Sequence, residues 1–226
     1  MGSWLRLGSF LIVTIILTRF IPFSAFFRNV NTLIHEMSHA LATLLLSGKV
    51  MFIHLFADQS GVTYSSISDN WMSIPISIVG YPGAALFTLL LFRLHAARQE
   101  RTGLLLVAAI AVIGLALFVR NGYGLLWCAG FAALTLLIGI GAANWLRVGY
   151  YLLIAFICLV ESIVSSISLL IIALADPAAA GDAANLAEAT FLPAPIWAVV
   201  FVLFSLWCAK YSTRNLLRRA AQSVPM

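Results

Sequence analysis

Two of the chain's four histidines stand in the run His35-Glu36-Met37-Ser38-His39, an H-E-x-x-H motif. On a helix, residues four apart share a face, so two imidazoles at this spacing can bind one cation. Zinc suits such a pair. It makes water more acidic, and a glutamate between the histidines is placed to take the proton. The spacing therefore names His35 and His39 as zinc ligands and Glu36 as a general base. The flanking residues Leu33, Ile34, Ala40, Leu41, Ala42 and Leu44 favour an unbroken helix through the motif.

The elements that must hold this helix belong to a membrane protein. Of the 226 residues, 62% are hydrophobic and only 9% are charged. Soluble domains carry about 25% charged residues, so lipid is the solvent for most of this surface. Apolar runs near the 20 residues that cross a bilayer occur at residues 4–27, 30–47, 71–94, 103–119, 122–143, 148–175 and 194–211. The expected fold is an all-α polytopic membrane protein with about seven transmembrane helices. The second run holds Asn31, Thr32, His35, Glu36, Ser38 and His39, so it must face protein rather than lipid. Three ionisable groups in five residues of a membrane helix are costly and mark a functional site.

Two stretches break the helical pattern. Residues 49–70 alternate apolar and polar side chains around Asp58-Gln59-Ser60-Gly61 and read as a β-hairpin after the second span. Its edges cannot lie bare in lipid, so it belongs at the interface or against the bundle. Residues 176–193 read as an external loop with a short helix at 182–189, capped by Asp182. Through seven spans, Arg28, Arg93, Arg98, Arg101, Arg147, Lys210, Arg214, Arg218 and Arg219 share one side, and Arg6, Lys49 and Arg120 the other. The positive-inside rule then makes the C-terminus cytoplasmic. Residues 1–212 form one transmembrane domain and 213–226 a basic cytoplasmic tail. The apolar stretch after Arg6 lacks an A-x-A site and reads as an uncleaved anchor. Cys128, Cys158 and Cys208 lie in apolar runs and read as buried thiols. The net charge of +5 comes from bases at the ends of apolar runs, which suits lipid headgroups and gives no nucleic-acid stripe.

Residues 31–48, the hairpin after them and the helix with Gly80-Tyr81-Pro82-Gly83 resemble the site-2-protease-like family of intramembrane zinc metalloproteases. In particular the chain resembles the small bacterial branch described as peptidase M50B-like. The late Gly181-Asp182-Ala183, Leu186-Ala187, Pro193 and Trp197 pattern extends the likeness over most of the chain. The resemblance implies a zinc endopeptidase of a bacterial cell membrane that cuts a membrane-protein segment. It implies that His35 and His39 hold Zn²⁺, that Glu36 is the base, and that the hairpin receives substrate by strand addition.

One departure concerns the third ligand. Site-2 proteases take it from an Asp-Gly pair on a later helix, and this chain has none. Asp182 and Asn121, the latter in Asn121-Gly122, are the two candidates. Charge favours Asp182. Depth favours Asn121, because His35 lies roughly 10 Å along a helix from Arg28 on the cytoplasmic side, whereas Asp182 is external. A non-catalytic relative that binds membrane partners, and a small transporter, are the alternative function classes. Among other polar residues, His54 belongs to the hairpin, His95 to a solvated loop, and Asp58 and Asp69 to turns and caps. Glu161 lies inside a span and needs a partner, such as Arg19, or a place near the site.

Overall fold

A backbone in lipid has only itself for hydrogen bonding, so apolar runs become helices. The computed structural model describes residues 24–222. Its helices are α1 (Ser24–Leu45), α2 (Ser73–Ala96), α3 (Glu100–Ile113), α4 (Gly122–Gly141), α5 (Asn144–Ala175), α6 (Gly181–Ala189) and α7 (Ala194–Gln222). The strands β1 (Lys49–Leu55) and β2 (Gly61–Ser66) form one antiparallel hairpin between α1 and α2.

Among the described residues, five helices are long and apolar enough to cross a membrane: α2, α3 with its π-helical extension, α4, α5 and α7. The expected first span lies outside the described residues except for its end, which opens α1. Helix α1 has 22 residues but is too polar to qualify. It packs against α2, α5 and both strands, so its polar groups meet protein. The hairpin ends at Ser66 rather than residue 70, and Asn70–Met72 forms a short 3-10 turn. Helix α7 continues past residue 211 to Gln222, so the first part of the expected tail is helical.

The largest helix contacts run through α2, which meets α1, α5, α6 and α7. At its late end, Tyr151 of α5 donates to Leu91 O at 2.6 Å and stacks on His95. Helix α5 therefore starts beside the end of α2 and finishes beside its beginning.

The hairpin is closed on its outer side. Val119 bridges to Ile53 in parallel, Arg120 N donates to Ile53 O, and Ile53 and Leu55 are fully buried. Beyond it, α6 is too short to persist alone. Its Ala183 and Leu186 are fully buried against Leu169 and Ala173 of α5 and Ala198 and Phe201 of α7. Burying one leucine contributes about 1.5–3 kcal/mol, enough to hold a short helix against the bundle. The opposite face of α6 carries Asp182, Asn185 and Glu188.

Candidate metal centre

Helix α1 brings His35 and His39 together as the spacing requires, with their Nε2 atoms 3.0 Å apart. His39 Nδ1 lies 2.7 Å from Ile76 O of α2. A carbonyl only accepts, so Nδ1 carries the proton and Nε2 presents a lone pair to the centre. Tyr81 meets the His35 ring edge to face at 4.6 Å and stacks on Phe201. Both imidazoles sit hard against Gly80. A Cβ there would lie 2.5 Å from His35 Cε1 and from His39 Nε2, so α2 can approach this closely only with glycine.

Asp182 completes the cluster from α6. Its Oδ2 lies 3.3 Å from His35 Nε2 and 3.2 Å from His39 Nε2. That oxygen is buried and has no hydrogen-bond partner among the described residues. Two imidazole nitrogens and an orphaned carboxylate oxygen thus converge on one point. Zinc bonds of about 2.0–2.2 Å separate tetrahedral ligand atoms by roughly 3.3–3.6 Å, close to the observed triangle. Two histidines and one carboxylate are also a donor set that zinc takes in catalytic sites. The residues present fit the ion. Burial would raise the Asp182 carboxyl, but the neighbouring His39 and His35 outweigh it and hold the group below its ordinary range.

This arrangement corrects two expectations. Asp182 is not a helix cap: α6 begins at Gly181, and its cap, Ala180, makes no side-chain bond. Nor do His35 and Asp182 lie on opposite sides. That inference put Arg28 at the headgroups. Instead Arg28 Nε donates to Glu161 Oε1 at 2.8 Å, in the middle of α5 and largely buried. Helix α1 therefore has its start within the bundle. The histidines pack beside the first turns of α2, at the end where α5 finishes and α6 begins.

Glu36 is only 4% exposed and lies beside the three donors without joining them. Thr63 of β2 donates to Glu36 Oε2 at 2.6 Å. Both line a cleft of about 940 Å³ between β2, the start of α2 and α6, which also reaches His35, His39 and Asp182. Among the described residues, strand β2 pairs only with β1, which leaves its other edge unpaired in the sheet.

Asn121 is engaged elsewhere. Leu55 N donates to its Oδ1 at 3.1 Å, and its Nδ2 donates to Leu55 O at 2.6 Å, so the amide acts as one more rung on β1. Glu161 pairs with Arg28; Arg19 lies outside the described residues. His95 is buried rather than solvated, with Nδ1 2.9 Å from Glu100 Oε1. His54 stacks on Phe52 in the hairpin. Asp58 accepts from Ser60 N and Oγ within the turn, and these bonds lower its carboxyl pKa. The Asp69 side chain makes no cap bond to its 3-10 turn. Sequence reasoning missed Thr63 and Tyr81. Tyr81 stood inside the Gly80–Gly83 motif, whereas a threonine in a strand carries no signal of its own.

The family model for Peptidase M50B-like proteins matches residues 8–212. No curated protein and no solved structure matches.

Proposed function

The chain belongs to the Peptidase M50B-like family, and from that premise we propose that it is an intramembrane zinc metalloendopeptidase acting on membrane-protein segments. Its five candidate spans agree with an integral membrane protein. One observation carries the finer reading. The orphaned Asp182 oxygen and two histidine nitrogens converge beside a carboxylate that stays outside the cluster and faces an open cleft. A purely structural metal site would use a closed set of ligands.

In this reading His35, His39 and Asp182 hold the ion. When bound, zinc supplies Lewis acidity, which makes water a better nucleophile and a peptide carbonyl a better electrophile. The Glu36 carboxylate takes the proton from water and returns it to the departing amide nitrogen. The unpaired edge of β2 receives an extended substrate backbone, which must be unwound to bond there. Tyr81 and the Ile76 carbonyl keep the two imidazoles aimed. The basic ends of α2, α5 and α7 face the cytoplasm of a bacterial cell, so the cleft opens toward the outer side.

The test compares membranes of cells expressing the protein or its Glu36→Gln variant, by mass spectrometry of newly formed peptide N-termini. Glutamine keeps size but accepts no proton. The variant should retain zinc and lose cleavage by at least about 10²-fold. New termini formed equally by both proteins would overturn the reading.

A further inference from the structure

We propose that Thr63 is the residue that positions Glu36, so that the hairpin strand facing the cleft also sets the direction of the general base. The catalytic role of Glu36 rests on the peptidase reading above. The hydroxyl stands 2.6 Å from Glu36 Oε2 and 3.1 Å from Glu36 O. It has one proton. The shorter contact goes to a carboxylate, and charge-assisted bonds are the stronger, so the proton belongs on Oε2.

The hydroxyl itself is rigidly placed. Thr63 pairs with Ile53, which is fully buried and held from its other side by Val119 and Arg120 N. A β-branched side chain on such a strand has little rotamer freedom. On the other side of the carboxylate, a Cβ at Gly61 would lie 2.7 Å from Glu36 Oε1. The glutamate is thus confined between a donor and a glycine of one strand.

Two further contacts clip the hairpin to α1. Thr32 Oγ1 donates to Gln59 O at 2.8 Å, and Thr43 and Ser65 hydroxyls share a bond of 2.9 Å. These join neutral groups. Only the contact between them, Thr63 to Glu36, ends on the cleft carboxylate. A strand that merely needed anchoring would not require a donor there. The three contacts therefore separate attachment of the hairpin from orientation of the base.

The test uses the full-length protein in detergent with a peptide substrate taken from the termini found above. Thr63→Val keeps shape and removes the donor, Thr63→Ser keeps the donor, and Thr43→Val breaks a neighbouring clip. Thr63→Val should lower kcat by about 10–100-fold, the usual effect of losing an orienting partner, with KM and zinc content unchanged. Thr63→Ser should restore most of kcat. Thr43→Val should lower Tm and leave kcat alone. A Thr63→Val enzyme with normal kcat, or a serine variant as slow as valine, would overturn the inference. A second measurement needs no turnover. In metal-free protein, the Tm losses of Thr63→Val and Glu36→Ala should add to less than their sum in the double variant. Full additivity would refute the contact, even if the wild-type protein cleaves nothing and the peptidase reading itself falls.

Discussion

Replacing Asp182 with asparagine isolates the charge of the proposed third ligand. The amide keeps an oxygen near the same point but loses the carboxylate. Among the described residues Asp182 Oδ2 has no hydrogen bond to lose, and its close neighbours are the two imidazole nitrogens at 3.3 and 3.2 Å. Helix α6 is held by Ala183 and Leu186 on its other face, so the fold should survive. Losing an outer partner of a ligand already costs about 10–100-fold in metal affinity. Loss of a direct charged donor should exceed that, so zinc affinity should fall by more than about 100-fold, or roughly 2.7 kcal/mol. Competition with a chelator of known affinity measures this directly. Asn121→Ala is the contrasting variant. It removes two bonds to Leu55 and should lower Tm while leaving zinc affinity unchanged. If Asp182→Asn binds zinc within about threefold of wild type, or Asn121→Ala loses it, the assignment of the third ligand is wrong.

Three further predictions follow from the same contacts. His35→Ala and His39→Ala should each remove most bound zinc from the purified protein, as metal analysis would show; retention of one equivalent by both would exclude the site. Gly80→Ala drives a methyl into both imidazole rings. It should displace the rings and deplete zinc, despite a helix-propensity gain of about 1 kcal/mol; normal zinc content would show that α2 yields instead. Arg28→Met and Glu161→Gln each remove one side of the Arg28–Glu161 ion pair, and each should lower the unfolding temperature. The double variant Arg28→Met/Glu161→Gln should lose less than the two single losses together, and full additivity would contradict the pairing.

Local physics makes much of this protein legible in its sequence. Composition placed it in lipid. Helical periodicity put His35 and His39 on one face, because a spacing of four along a helix needs no tertiary partner to be true. Alternation around Asp58-Gln59-Ser60-Gly61 marked a hairpin for the same reason. What each polar group meets was decided only by packing. Asp182 looks alike in sequence whether it caps a helix or faces two imidazoles. The apolar face of α6 chooses between them by docking onto α5 and α7. Arg28 read as a headgroup anchor until α5 brought Glu161 beside it, and that one pairing removes the depth argument against Asp182. His95 changed from a loop residue to a buried partner of Glu100, since the loop is shorter than charge alone suggested. Asn121 turned out to extend a sheet, a use that depends on Leu55 lying beside it in space. Strand periodicity assigns Thr63 to a face but cannot name its neighbour, and the neighbour is Glu36 because the hairpin folds back along the helix that carries it.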